Sequence, residues 1–325
     1  MAEIILGLGA SHGPPVTMPA SQWPLLREKD IHDKRMDYNA LLKTAKPNID
    51  EEWTEERMQA RSDKAQAALG TLREELLKAA PDVIVIVGDD QNEQFGDQVM
   101  PAFCVYRGES VEVKRRTGGG GGQWGNMAWA QAFKSEVSEK PTVYPAANDL
   151  ADHVVQSLID DEFDVSASSE LRDEVGLGHA FNFLYRTILP EGNIPLLPVM
   201  INTMYKPNYP TPRRCYKFGQ ALRRAIESWD PSKRVAIMAS GGLSHVIIDE
   251  ELDQIVIDAM AEKDAEALSS LPLDRLHRAA GTTEIRNWIA VSGAMGPLDM
   301  TLVSYEPCYR SPAGTGLGMA FAYWN

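Results

Sequence analysis

The sequence predicts an α/β fold: a single large domain spanning residues 1–325, with a mostly parallel central sheet covered by helices on both faces. Three observations predict it. Short apolar runs recur at residues 4–8, 83–87, 194–201 and 235–239. Amphipathic stretches with helical spacing lie between them, and the runs open into polar or glycine-rich loops. Strands buried on both faces read as continuous apolar runs, and alternation of strands with helices is the pattern of parallel crossovers.

The first run, Ile4-Ile5-Leu6-Gly7-Leu8, leads into Ala10-Ser11-His12-Gly13-Pro14-Pro15. His12 therefore stands beyond the carboxyl end of a strand, where open α/β sheets bind their ligands. Residues 23–61 are polar, with Pro47, Trp53 and many charges, and are expected to form a helical excursion that serves as a lid or an interface arm. A helix follows over 62–80, with Ala65, Leu69, Leu72 and Leu76 on one stripe. The run Val83-Ile84-Val85-Ile86-Val87 follows Pro81-Asp82, ends at Gly88-Asp89-Asp90-Gln91, and reads as a central strand. Five glycines at 118–122, followed by Gln123-Trp124-Gly125, lack the Lys-Ser/Thr of a phosphate-binding loop and read as a surface loop. Two further strands, at 194–201 and 235–239, flank a helix over 211–228 that turns Cys215, Phe218, Leu222 and Ile226 inward. A helix over 250–260 is expected to bury Leu252, Ile255, Val256 and Ala259.

Composition narrows the partners. A chain of 325 residues can bury a large core, and 44% apolar with 24% charged residues is ordinary for a globular protein. A net charge of −14 argues against nucleic acid, whose phosphates it would repel, but leaves room for a small anion in a locally positive pocket. Three scattered cysteines (Cys104, Cys215, Cys308) form no C-x-x-C motif, which points to a reducing cytoplasm. No basic segment precedes the first apolar run, and no stretch approaches the roughly 20 apolar residues of a membrane span, so neither export nor a membrane partner is expected.

Five polar residues are the candidates for chemistry: His12, Gln91, His179, His245 and Glu284. His245 follows a strand through the turn Gly241-Gly242-Leu243-Ser244, and His179 follows Gly176-Leu177-Gly178, whose glycines admit close neighbours. Glu284 lies in Gly281-Thr282-Thr283-Glu284-Ile285-Arg286-Asn287-Trp288; taken alone, it does no more than complement a helix dipole. His153 falls inside an amphipathic helix and reads as structural, while His32 and His277 lie in charged segments and are assigned nothing. Two histidines and one carboxylate on one face, with open positions opposite, suit non-haem Fe(II).

The ordered set of motifs adds more. Ala10-Ser11-His12, Gly178-His179, Pro212-Arg213-Arg214-Cys215, Gly241 through His245, Gly281 through Trp288 and the tail Pro312-Ala313-Gly314-Thr315-Gly316-Leu317-Gly318 occur in turn along nearly the whole chain. Together the chain resembles the class III extradiol ring-cleaving dioxygenases. The resemblance implies Fe(II) as cofactor, a small aromatic diol and O2 as partners, and a homodimer. It places His12 and Glu284 on two metal ligands, His245 on the acid/base and His179 on the histidine that contacts substrate. The second ligand histidine, expected in Asn-Asp-His-x-x-x-Phe, is replaced: here Asp89-Asp90-Gln91-Asn92-Glu93-Gln94-Phe95 puts Gln91 at that place. Three outcomes stay open: Gln91 ligates through its carbonyl, or Asp89, Asp90 or Glu93 swings in, or metal binding is weak and ring cleavage is lost. Retention of His12, His179, His245 and Glu284 together favours an intact site.

Substrate contacts also depart from the family pattern, with Asp89 and Gly314 where an asparagine and a serine bind a ring carboxylate. An ionised Asp89 would repel such a carboxylate, so either the substrate lacks one or cations such as Arg286 and Arg310 hold it. Family members often cover the site with a small second subunit or a fused domain, a task expected here of residues 23–61. The alternatives to extradiol cleavage are a metal-dependent hydrolase or lyase on the same scaffold, and an inactive metal-binding interaction protein.

Overall fold

The computed structural model describes residues 1–114, 141–279 and 281–325, so the glycine run at 118–122 lies outside the described residues. A nine-stranded mixed sheet organises them, in the order β10-β11-β1-β8-β2-β7-β3-β6, with β9 paired to β11. Its strands are β1 (Glu3–Ala10), β2 (Val83–Asp89), β3 (Phe103–Tyr106), β6 (Ser166–Ser168), β7 (Leu196–Ile201), β8 (Arg234–Ser240), β9 (His245–Ile247), β10 (Met300–Tyr309) and β11 (Thr315–Trp324). The four central strands, β1, β8, β2 and β7, are mutually parallel. Antiparallel β10, β11 and β9 close one side. A separate antiparallel pair is formed by β4 (Ser110–Val113) and β5 (Thr142–Pro145).

Every residue of β2 is buried, as its unbroken apolar run requires. Val83, Val85 and Val87 enter one hydrophobic core, Ile84 and Ile86 the other. The first core is covered by the helices Asn148–Asp160, Pro212–Glu227, Glu250–Ala261 and Ile285–Met295, the second by Glu55–Ala79 and the segment around His179–Phe183. Ile255 is an exception to its predicted stripe and is 38% exposed, since Leu252, Val256 and Ala259 already fill the inward face. Residues 23–61 hold the helices Pro24–Ile31 and Tyr38–Thr44 and the start of Glu55–Ala79, and they are anchored: Trp23 is fully buried and Leu26, Ile49 and Met58 are buried too. His277 is half-buried, and its Nε2 meets the Arg286 guanidinium at 2.7 Å. Among the described residues no helix is long and apolar enough to cross a membrane.

One glycine in β1 sets the position of a functional helix. A Cβ at Gly9 would lie 2.2 Å from the Trp288 ring, so only glycine lets the Ile285–Met295 helix seat this closely on β1. Trp288 Nε1 donates to the Gly241 carbonyl at 2.8 Å and Asn287 Nδ2 to the Ser240 carbonyl at 2.8 Å. The start of this helix, where Glu284 stands, is thereby fixed beyond the end of β8.

Candidate active site

The carboxyl ends of β1, β8 and β2 converge, and each delivers polar side chains to one cavity of about 340 Å³. Its wall includes His12, Gln91, His179, His245 and Glu284. These residues lie as far as 272 positions apart in sequence (284 minus 12) and are gathered by the parallel topology.

Each is held by specific bonds. Ser11, just before His12, exchanges hydrogen bonds with Ala320 of β11: its N–H donates to the Ala320 carbonyl and its Oγ accepts from the Ala320 N–H, both at 3.0 Å. His12 Nδ1 meets Ser240 Oγ at 3.0 Å, and that hydroxyl donates onward to the Ala180 carbonyl. With its one proton committed, Ser240 accepts from His12, so Nδ1 carries the proton and Nε2 the lone pair. His179 is tied to Glu93 through its Nδ1 at 2.7 Å and through its backbone N–H. An ionised carboxylate only accepts, so here too Nδ1 is the protonated nitrogen. His245 Nδ1 meets the Leu243 carbonyl at 2.9 Å, and its Nε2 lies 3.0 Å from Glu284 Oε1. A Cβ at Gly281 would fall 2.0 Å from the His245 ring, so that glycine makes room for the imidazole. The turn after β2 is capped by Asp90, which accepts from the backbone of Gln94 and Phe95.

Gln91 stands between two carboxylates. Its Nε2 donates to Asp89 Oδ2 and to Glu284 Oε1, each at 3.1 Å. Glu284 also accepts the Gly242 N–H at 3.0 Å. Asp89 and Glu284 are both buried, and among the described residues neither pairs with a lysine or arginine. Burial, assisted by the Glu284 charge, pushes the Asp89 carboxyl up to about 7. Burial lowers His12 to about 3 against the pull of Glu284, which keeps the ring neutral. For Glu284 burial acts upward, but His245, His12 and His179 hold it below the usual carboxylate range. Burial likewise opposes charge on His245, yet the adjacent Glu284 keeps its pKa above the ordinary histidine value.

These donors fit a divalent cation. The His12 Nε2 lone pair faces Glu284 Oε2 at 3.5 Å with no proton between them. Two ligand atoms each about 2.1 Å from one ion stand roughly 3.0–3.4 Å apart, close to this spacing. His12, Asp89 and His179 can also bring one ligand atom apiece within 4.8 Å of one another.

The wall also carries three cations. Lys29 and Arg35, from the 23–61 excursion, line the cavity with Arg310. Arg310 forms a two-pronged bond to buried Asp30 at 2.7 and 3.0 Å. Lys29 lies 3.5 Å from Asp30 and 3.6 Å from Asp33, and Arg35 lies 2.6 Å from Asp33. Gly314 sits in the β10–β11 turn with φ +72° and is not part of the lining, to which Gly316 and Leu317 contribute instead. Arg286 is also elsewhere: it is buried against the carbonyls of Thr203 and Pro210 and against His277. Sequence reading missed Ser240, Lys29 and Arg35; nothing in their local sequence marks them, since only the fold brings them to the cavity.

Behind the His245 turn, buried Asp253 accepts from Ser244 N–H and Oγ–H and from the Tyr305 hydroxyl, all at 2.7 Å. Burial raises its carboxyl to about 6 in spite of these bonds. A carboxyl raised on folding adds stability that is fully present below its unfolded pKa of about 3.9 and lost as pH rises through about 6. The unfolding free energy of wild type relative to Asp253→Asn is therefore higher at pH 4 than at pH 8, as measured by urea denaturation. A difference independent of pH would contradict this.

Residues 47–315 match the family described as the catalytic LigB subunit of aromatic ring-opening dioxygenase. A gallate dioxygenase from Pseudomonas putida is 33% identical over 180 residues, covering 52% of this chain and 50% of that protein. A 2,3-dihydroxyphenylpropionate/2,3-dihydroxicinnamic acid 1,2-dioxygenase from Comamonas testosteroni is 27% identical over 56% of this chain and 48% of its own length. Its namesake from Rhodococcus is 27% identical over 316 residues, covering 80% of this chain and 91% of the relative. The chain thus spans about half the length of the first two relatives and most of the third.

Proposed function

Because this chain belongs to the family of catalytic LigB subunits of aromatic ring-opening dioxygenases, we propose that it cleaves a catechol-type ring beside its two hydroxyls, with O2 as oxidant and Fe(II) as cofactor. The observation that carries this reading is a single cavity lined by three histidines, a buried glutamate and three cations. His12 and Glu284 hold the metal, which when bound supplies a Lewis-acid and redox centre for diol and O2. His245 moves the proton: its Nδ1 donates to the Leu243 carbonyl and its Nε2 to Glu284 Oε1, so the ring carries both protons and accepts one from the diol at Nε2 only after that proton has been given up. His179, locked by Glu93, limits where the ring can lie. Pro14, Pro15, Leu26 and Leu317 supply the apolar walls that exclude water. A cavity of about 340 Å³ lies at the low end of the range for ligand sites, roughly 300–1,000 Å³, and suits a single ring.

The substrate carries an acidic group. Lys29, Arg35 and Arg310 set three cations against the two carboxylates Asp30 and Asp33, leaving one positive charge at the cavity wall. Burial holds the Lys29 ammonium below its ordinary range, so it gains from an added anion. The relatives' names describe hydroxylated aromatic acids, which agrees with this charge. Lys29→Met and Arg35→Met raise KM for carboxylated diols by about tenfold, the worth of one charge-assisted hydrogen bond, and leave KM for unsubstituted catechol unchanged. Equal changes for both substrates would remove this assignment.

The test of the activity is anaerobic reconstitution with Fe(II), then oxygen uptake with catechol, gallate and 3-O-methylgallate. Uptake with at least one diol is expected. No uptake with any, or retention of zinc with oxygen-independent turnover, would replace ring cleavage by a hydrolase or lyase reading.

A further inference from the structure

We propose that Asp89 and His179 take over the work of the missing ligand histidine: the metal is held by His12, His179 and the Asp89 carboxylate beside Glu284, and Gln91 is an amide tether rather than a ligand. This inference rests on the metal-dependent reading above and concerns only which side chains hold the ion.

The acidic residues after β2 can be taken in turn. Asp90 is committed to two backbone N–H groups that close the turn, and Glu93 is committed to the His179 ring and backbone. Gln91 directs Nε2 to two carboxylates; with the amide turned over, its carbonyl oxygen would lie against two anionic oxygens. Asp89 remains. Its bonds are to Gln91 and, at 3.4 Å, to Asn287 Nδ2, and it can approach both His12 and His179 within 4.8 Å.

The two histidines are oriented as ligands are. Each commits Nδ1–H to an oxygen acceptor, Ser240 for His12 and Glu93 for His179, which makes Nε2 the lone-pair nitrogen in both. A carboxylate or hydroxyl gripping the far nitrogen is the usual support of a metal-bound imidazole. The rings pack edge to face with centroids 4.7 Å apart, and one ring nitrogen of each lies within 4.8 Å of the other and of an Asp89 oxygen. Charge points the same way. Asp89 and Glu284 are buried near each other without lysine or arginine partners among the described residues; His245 meets Glu284 at 3.0 Å, and a divalent cation would offset the second carboxylate.

The experiment measures binding of ferrous ion under argon, by metal analysis after gel filtration and by titration, with no turnover involved. Asp89→Asn and His179→Gln are expected to weaken binding by more than about 100-fold, the loss of a ligand, while Gln91→Leu costs only the roughly 10–100-fold of a lost supporting partner. Asp89→Cys, loaded with Co(II), is expected to show a sulfur-to-cobalt charge-transfer band that Gln91→Cys lacks; this readout survives a loss of affinity. Thermal unfolding of each metal-free variant checks the fold. Loss of iron in Gln91→Leu with retention in Asp89→Asn, or the thiolate band in Gln91→Cys alone, would overturn the assignment. Iron binding in the expected pattern without oxygen uptake would sustain it and remove ring cleavage instead.

Discussion

His245→Gln lowers kcat by about two to four orders of magnitude, the range of a lost general acid–base group, while iron content stays near that of wild type. The reasoning is geometric. His245 projects from a turn whose backbone is tied to Thr282 and, through Ser244, to buried Asp253. Its ring therefore reaches from β9 into the cavity that His12 also lines. Glutamine keeps a donor for Glu284 but cannot cycle a proton near neutral pH. Steady-state kinetics with metal analysis on the same preparations checks it. Unchanged turnover would take the proton-transfer role from His245, and parallel loss of iron would make it a ligand.

Glu284→Ala removes both activity and metal. This carboxylate is met by Gln91, His245, the Gly242 N–H and His12, so it joins the metal position to the proton-transfer group. Losing a ligand weakens ferrous binding by more than about 100-fold, beyond the 10–100-fold typical of losing a ligand's supporting partner. It also strands the Gly242 N–H in a buried turn, at a cost of about 1–3 kcal/mol. Metal titration and oxygen uptake together check this. Full iron occupancy in the variant would show that Glu284 acts only through His245. The pairing separates two functions: one substitution leaves metal without turnover, the other leaves neither.

Much of this was legible before any coordinates. The run 83–87 could only be a strand buried on both faces, and the stripes of the 62–80 and 211–228 helices correspond to Glu55–Ala79 and Pro212–Glu227. The β10–β11 hairpin was not read. Met300–Tyr309 mixes polar residues with Pro307, and β11 contains Gly316 and Gly318, so neither carries a strand pattern of its own. Pairing with β1, which local propensity does not encode, gives β11 its place. In the site, the resemblance singled out His12, His179, His245 and Glu284, and parallel topology brings them together. Ser240, Lys29 and Arg35 were invisible because their roles come from partners more than 100 positions away or from lining a cavity. The gap at Gln91 was plain in the sequence. Its amide contact with both Asp89 and Glu284 needed the fold, since 193 positions separate Gln91 from Glu284.

Ring opening by a dioxygenase leaves an isotopic record. The iron-reconstituted protein is mixed anaerobically with a carboxylated catechol, exposed to 18O2, and its product is analysed by mass spectrometry. Both atoms of one O2 are expected in a ring-opened product, with oxygen and diol consumed in equal amounts. An intact ring, or a product whose added oxygen comes only from water, would contradict the account.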